Sequence, residues 1–182
     1  KNVVFAGDYT YLPTDSDNNY NKFMEAQFLG VPGDKMGMFP DGDYPVQIIQ
    51  GCGSWYLLMK SGDVWAAGYN GYGQLGHNDT TDRRQFQKIK QIGSQFTVSG
   101  LSTHIVAVAC SSGSHYSDSN WSYSSVYFLD VHGRLFGCGY NGDGRLGTGD
   151  TSNRSTPTLI SGVSNVDRFG ISGQDAYRSE EH

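Results

Sequence analysis

The chain contains the same segment twice. Residues 62–76 align without a gap with residues 133–147, each position matching the one 71 residues later, and the match continues as far as residues 89 and 160. Of the 28 aligned positions, 12 are identical. A repeat of this length indicates a chain built from stacked supersecondary units, which constrains the fold more than any other feature. The predicted structural positions of the repeat are Gly62, Gly68, Asn70, Gly73, Leu75 and Gly76, and then Gly133, Gly139, Asn141, Gly144, Leu146 and Gly147.

Each copy predicts a β-hairpin followed by a glycine-rich loop. Gly62 and Gly133 lie at the hairpin turns, where glycine supplies a positive φ without steric cost. Leu75 and Leu146 are predicted to be apolar plugs among glycines that allow close backbone approach. Another apolar run lies on each side of the hairpin, so each unit has the four short strands of a propeller blade. The predicted strands are residues 46–49, 55–60, 63–67 and 86–89, and then 105–110, 125–130, 134–138 and 157–160.

The composition agrees with short strands and tight turns. The chain has 25 glycines among 182 residues, and 17% of its residues are charged. The formal net charge of -5 and the absence of a long basic run argue against binding nucleic acid through its phosphates. The sequence has no apolar run of the ~20 residues that a membrane span needs, so no membrane insertion is predicted.

The repeated loop carries a resemblance to a known family. Residues 73–76 read Gly-Gln-Leu-Gly, and the second copy has Arg145 in place of the glutamine but keeps Asp150 and Pro157 further on. A strand, a glycine, a hairpin and this loop motif together resemble the repeat of the regulator of chromosome condensation family. The resemblance covers residues 46–166 and implies an all-β fold, since that family builds seven-bladed β-propellers from units of about fifty residues.

The chain is therefore predicted to hold propeller blades that form part of a ring. A propeller must close to remove its sheet edges, and the closure is expected from further chain or from other subunits. The predicted divisions are residues 1–45, the end of one blade with an insertion; 46–103, a blade; 104–165, a blade with an aromatic, serine-rich insertion at 116–124; and 166–182, the start of a further blade.

Two aromatic segments are candidate ligand-binding sites. Rigid aromatic side chains among small hydrogen-bonding residues are typical of recognition loops, and the same mixture suits a sugar. A glycan or protein receptor is therefore one expectation, and a plain solvated loop whose aromatic rings pack back onto the blade is the other. The candidate residues are Tyr116, Asn120, Trp121 and Tyr123 in the insertion, and Tyr9, Tyr11 and Tyr20 near the start of the chain.

The sequence shows no catalytic set and predicts no cofactor or metal. The five histidines are scattered, and no nucleophile, zinc or phosphate-loop motif occurs. Cys52, Cys110 and Cys138 lack metal-ligand spacing, and each lies in or beside an apolar strand. They are either small buried thiols, or two of them form a disulfide.

Two classes of function follow for a propeller that is not an enzyme. Scarce lysine, abundant Gly, Ser, Asn and Tyr, and enlarged aromatic loops favour a recognition or structural module on a cell or virion surface, of the adhesin or tail-fibre type. Propellers that resemble this family occur in phage structural proteins, and this interpretation predicts an extracellular location. The alternative is a cytoplasmic propeller regulator, such as a small-GTPase exchange factor or a chromatin-associated protein, as the family name implies.

Overall fold

The computed structural model of the chain describes residues 4–5, 24–26, 42–51, 53–111 and 123–171. Within these residues, two four-stranded antiparallel sheets form the bulk of the molecule, and their strands follow chain order from one edge to the other. This confirms the predicted all-β fold of propeller blades. The first sheet, blade 1, consists of β3 (Pro45–Gln50), β4 (Ser54–Met59), β5 (Val64–Gly68) and β6 (Arg83–Lys88); the second, blade 2, consists of β9 (Ile105–Ser111), β10 (Ser125–Asp130), β11 (Leu135–Gly139) and β12 (Arg154–Leu159).

Two shorter sheets complete the described strands. Strand β1 (Val4–Phe5) pairs antiparallel with β2 (Met24–Glu25). Strand β7 (Gly93–Val98) pairs antiparallel with β8 (Leu101–Thr103) to form a hairpin between the two blades along the chain. This second hairpin has no counterpart in the predicted strands.

The central hairpin of each blade has the predicted turn. In blade 1, Leu58 pairs with Val64, and the turn between them contains Gly62 with a φ of 82°. In blade 2, Leu129 pairs with Leu135 around Gly133, whose φ is 73°. Both values lie in the left-handed region that glycine enters without the penalty imposed by a β-carbon.

The main hydrophobic core lies between the two blades. Strand side chains alternate between the two faces of a sheet, so alternate residues of each blade point to its neighbour. Tyr56 and Leu58 of β4 share one buried cluster with Val126 and Phe128 of β10. Leu75, from the loop after β5, joins the same cluster and is fully buried, as predicted.

Each blade is also covered on its other face. Leu57 and Met59 of blade 1 pack with Ala26, which follows β2. On the far side of blade 2, Tyr127 and Leu146 pack with a group that includes Phe169. Both blades are therefore inner layers of a stack, which explains why every residue of β10 is buried.

The β7–β8 hairpin is tied to both blades by side-chain contacts. Asp63 of blade 1 accepts hydrogen bonds from the N–H and the hydroxyl of Ser94 at 3.1 and 3.2 Å. Arg134 of blade 2 donates to the carbonyls of Val98 and Ser102 at 2.6 and 2.9 Å. The extra length between the two repeats therefore lies partly in this hairpin, whereas the prediction placed it at residues 116–124 alone.

The described residues after β12 contain no strand. The N–H of Val166 donates to the carbonyl of Gly133, and in blade 1 the N–H of Ile105, the first residue of β9, donates to the equivalent Gly62. Val166 therefore makes the same contact with the hairpin turn of blade 2 that Ile105, the first strand residue of blade 2, makes with the hairpin turn of blade 1. A further blade beginning at residue 166 remains a prediction.

Candidate functional site

The loops that follow β5 and β11 lie at the same end of the two blades. They span residues 69–82 and 140–153, and the ring centroids of Tyr72 and Tyr140 lie 5.2 Å apart across them. The short segment that leads into β10, residues 123–124, reaches the same place. We call these three segments together the loop face.

A buried asparagine holds each loop in shape. Oδ1 of Asn70 accepts a hydrogen bond from the N–H of Leu75 at 2.8 Å, and Nδ2 donates to the carbonyl of Asp79 at 3.0 Å. Asn141 makes the same contacts in blade 2, to Leu146 and to the equivalent aspartate, both at 2.9 Å. Both asparagines are fully buried, so the paired contacts satisfy polar groups that water cannot reach.

An ion pair closes each loop at its far end. Arg83 binds Asp79 at 2.6 Å, and Arg154 binds Asp150 at 2.5 Å. The side-chain hydrogen bond from Arg83 lowers the pKa of Asp79 to about 2. The backbone N–H of Ser152, followed by Arg154, lowers the pKa of Asp150. Two acidic side chains of the loop face are therefore ionised and already neutralised by arginine.

The loop of blade 1 rests directly on blade 2. An ideal β-carbon on Gly73 would lie 2.4 Å from Cα of Ser155 in β12, so the two backbones are in close contact. The N–H of Asn78 donates to the carbonyl of Ser155 at 2.8 Å. Nε2 of the buried Gln74 donates to the hydroxyl of Ser124 at 3.3 Å. These contacts form the seam between the blades at the loop face.

Three tyrosines meet on the outer side of this seam. Tyr72 stacks with Tyr123 at a centroid distance of 5.3 Å and meets Tyr140 edge-on at 5.2 Å. Tyr123 and Tyr140 are 4.7 Å apart, also edge-on. All three are partly exposed, and they come from three separate segments of the chain. We call these residues the tyrosine cluster.

Arg145 borders the tyrosine cluster. Its guanidinium lies 4.9 Å from the ring centroid of Tyr140, within the range of a cation–π interaction, and donates to the carbonyl of Tyr123 at 3.0 Å. It also binds Asp143 at 2.6 Å. The hydrogen bond between these two side chains raises the pKa of Arg145 and lowers that of Asp143. Arg145 replaces the repeat's Gln74, so the second loop presents an ordered cation where the first buries an amide.

His77 is the one loop-face histidine. Burial, and next the positive charge of Arg83, lower its pKa to about 4. Its Nε2 is buried and makes no hydrogen bond within the part of the chain that the structure describes. His77 is therefore neutral at physiological pH and contributes no charge to the loop face.

The structure places one predicted site residue in the tyrosine cluster. Tyr123 was predicted as a ligand-binding candidate, whereas Tyr72, Tyr140 and Arg145 were not. Tyr140 belongs to the Gly-Tyr-Asn-Gly segment that both repeats share, and this repetition was the signal in the sequence that could have identified it. The other candidates lie outside the described residues: Tyr9, Tyr11, Tyr20, Tyr116, Asn120 and Trp121.

The described residues offer no other centre of chemistry. They contain no group of three metal-binding side chains. Cys138 is a buried free thiol, and burial raises its pKa well above its usual value. Within the described residues, no helix is long and apolar enough to cross a membrane.

The fold and the repeated loops define a propeller protein of the regulator of chromosome condensation class. The family model described as "Regulator of chromosome condensation (RCC1) repeat" matches residues 61–115 and 132–171. Those two segments make up just over half of the chain, and they contain both copies of the repeat. The chain belongs to this family.

Several known proteins are similar to part of this chain. The probable E3 ubiquitin-protein ligase HERC4 of Mus musculus is 33% identical over 105 residues, which are 58% of this chain and 8% of that protein. The Homo sapiens HERC4 is 32% identical over the same length. Prp20p from Saccharomyces cerevisiae, studied for its binding to Gsp1p and histones, aligns with a TM-score of 0.54 and 14% identity, covering 86% of this chain and 33% of its own. The likeness to Prp20p shows the fold alone.

These relatives correct the predicted location. Ubiquitin ligation, the activity for which HERC4 is named, takes place inside cells, and HERC4 is 33% identical to this chain over 105 residues. The prediction of an extracellular or virion-surface protein is therefore wrong. Its physical basis, a surface rich in Gly, Ser, Asn and Tyr, is equally the composition of turn-rich propeller loops.

Proposed function

We propose that this chain is part of an intracellular propeller regulator that binds a protein partner through its loop face. The tyrosine cluster carries the proposal. Tyrosine and arginine are, with tryptophan, the residues enriched at the energetic centres of protein interfaces, and here three tyrosines and Arg145 lie side by side. The cluster is partly exposed, so its rings are available in part to a partner.

The cluster is also ordered before any partner binds. Each ring contacts the other two, and Arg145 is fixed by Asp143 and by the carbonyl of Tyr123. A pre-organised surface loses less conformational entropy on binding than a flexible one. Tyrosine adds a large contact area with few rotatable bonds. These properties favour a specific protein interface over a loosely ordered surface loop.

The charge of the loop face favours one kind of protein partner. A net charge of -5 suits a basic partner such as a histone. However, Asp79, Asp143 and Asp150 are each bound by an arginine. The one other loop-face carboxylate among the described residues is Asp82, which accepts a hydrogen bond from the N–H of Asn70. The net negative charge of the loop face is therefore small. We therefore favour a folded regulatory protein, such as a small GTPase, over a histone tail. The chain spans only 8% of the length of HERC4. The similarity therefore gives no basis for assigning ligase activity to this chain.

Substitution of Tyr72 by aspartate tests the proposal. Asp143 occupies the equivalent position of the second loop, so the loop fold accepts this side chain. We expect Tyr72→Asp and Tyr123→Ala to weaken binding to the partner by about tenfold or more, the scale of an interface hot spot. The readouts are binding and nucleotide release across a panel of small GTPases, with histones as a second panel.

Val131 provides the matched control. It is 56% exposed on the turn after β10, at the opposite end of blade 2. Val131→Ser is expected to leave both binding and folding unchanged. Binding that survives Tyr72→Asp and Tyr123→Ala would contradict the proposed site, and a full-length protein that binds neither panel would contradict the proposed class of partner.

A further inference from the structure

The two buried asparagines of the loop face are each followed by glycine. Asn70-Gly71 and Asn141-Gly142 are the only Asn-Gly pairs among the 182 residues. This pair is chemically labile because glycine lacks a side chain that would hinder its own backbone nitrogen. That nitrogen gives up its proton and attacks Cγ of the asparagine; a new C–N bond forms, the bond from Cγ to Nδ2 breaks, and the amide group takes up a proton and leaves as ammonia. Water then opens the cyclic imide to aspartate or isoaspartate.

The fold holds both side chains away from this reaction. Nδ2 of Asn70 donates to the carbonyl and to Oδ1 of Asp79 at 3.0 and 3.1 Å, while Oδ1 accepts from Leu75. The amide therefore spans its own loop and is bound at both ends. For Cγ to meet the nitrogen of Gly71, these bonds must break and the side chain must turn.

The second loop repeats the arrangement with more partners. Nδ2 of Asn141 lies within hydrogen-bond distance of the hydroxyl of Thr148, the carbonyl of Ser152 and both a carbonyl and a carboxylate oxygen of Asp150. Neither asparagine has exposed surface, although the glycines that follow them are exposed. Water reaches the backbone at each site while the amide stays enclosed.

We propose that Asn70 and Asn141 are latent deamidation sites, kept unreactive by the hydrogen bonds of their loops and released when a loop opens. This inference does not rest on the proposed function. Deamidation at Asn70 replaces an N–H donor with a carboxylate that faces two oxygens of Asp79. The loop then loses its closure and, with it, the contact of Gly73 with β12. A transient opening of the blade seam is thereby converted into a permanent one.

Peptide mapping by mass spectrometry of the full-length protein tests this. At mildly alkaline pH we expect both sites to deamidate in guanidinium chloride, and to do so at least about tenfold more slowly in native buffer. A tenfold protection corresponds to an opening free energy of about 1.4 kcal/mol. Equal rates in the two conditions would overturn the inference, and this comparison needs no variant.

Reciprocal variants localise the protection. Asp79→Ala removes a partner of Asn70 alone, and Asp150→Ala removes a partner of Asn141 alone. Each is expected to accelerate deamidation in its own loop and to leave the other loop at the wild-type rate, with circular dichroism as the check on folding. Folded variants that change neither rate would show that the loop hydrogen bonds are not the source of protection.

Discussion

At the scale of single residues, the loop asparagines contribute more to the stability of the fold than their size suggests. Asn70 is fully buried and supplies the acceptor for the N–H of Leu75, itself fully buried in the core between the blades. A polar side chain in this position is a necessity of the loop backbone, since a buried N–H without a partner costs free energy.

We predict that Asn70→Ala lowers the free energy of unfolding by about 2–3 kcal/mol, because the variant leaves the N–H of Leu75 and the carbonyl of Asp79 without their partner. Urea denaturation measures the change. Asn141→Ala serves as the parallel case in blade 2, and it is expected to have an effect of the same sign. A loss below about 0.5 kcal/mol for both would contradict this account, since surface substitutions give changes of that size.

His77 predicts a pH dependence of stability. Its folded-state pKa of about 4 lies below its ordinary value of 6.5, so between these values the unfolded chain binds more protons than the folded one. Stability therefore falls as the pH drops from about 6.5 toward 4, by up to about 2 kcal/mol.

Thermal unfolding of the wild type and His77→Thr over this pH range measures the effect. Threonine is the residue at the equivalent position of the second loop, Thr148, so the loop accepts it. The difference in stability between the two proteins should shift in favour of the variant as the pH falls. A constant difference across the range would show that His77 is not the group responsible.

At the scale of elements, one buried ion pair helps to hold the β7–β8 hairpin on blade 2. The side chain of Asp130 has no exposure and accepts from Nε of Arg134 at 2.6 Å, while the same guanidinium donates to the carbonyl of Val98 in the hairpin. Arg134 therefore neutralises a buried charge in blade 2 and holds the hairpin in place with the same side chain.

We predict that Arg134→Ala lowers stability by about 3 kcal/mol, because it leaves Asp130 buried without a counter-charge. Hydrogen exchange should also become faster at residues 93–103. Arg134→Lys keeps the charge but loses the planar fork that reaches two groups at once, so it should restore part of the stability and little of the hairpin's protection. Unchanged exchange in Arg134→Ala would mean that Asp63 alone anchors the hairpin.

The repeat makes the strands of both blades predictable, but not the hairpin between them. A pattern that occurs twice, 71 residues apart, identifies glycines, a turn and alternating strands with little ambiguity. The hairpin occurs once, and its strand β8 has three residues. Its local signals were the Ser99-Gly100 turn and the alternation of Phe96 and Val98. Arg134 stabilises it from a distance of more than thirty residues in sequence, which no local pattern reveals.

The tyrosine cluster, too, could be predicted from the sequence only in part. Tyr123 could be selected from its composition, because it ends an aromatic, serine-rich segment. Tyr72 lies between two glycines that both repeats share, at a position where the repeats differ, and its partners come from the next blade. Which side chains meet across the seam depends on how one blade packs on another, and this is a tertiary property that the single sequence does not contain.

At the scale of the whole molecule, equivalent positions in the two blades differ in what covers them. A β-carbon on Gly73 would lie within 3 Å of Ser155, whereas one on Gly144 would meet no atom of the described residues nearer than 3.8 Å. The two glycines have φ values of 81° and 76°, so a side chain strains both backbones alike. Comparing the same substitution at the two glycines therefore separates the cost of blade packing from the cost of backbone strain.

We predict that Gly144→Ala costs about 1 kcal/mol from backbone strain alone, whereas Gly73→Ala costs about 3 kcal/mol or more because the blades must also separate. Chemical denaturation of this 182-residue chain compares the two. In a longer protein whose next blade rests on Gly144, the two costs should converge. Equal costs in this chain would contradict the close contact at the seam.

The two loops use the same frame to display different chemistry. Where the first loop has Tyr72 and Gln74, the second has Asp143 and Arg145, although the asparagine, leucine and glycines around them are the same. The residues that fix the loop and those that face outward are therefore separate sets. Mutation can therefore change the side chains that one junction displays without disturbing how any junction folds, so different junctions of one propeller can present different chemistry.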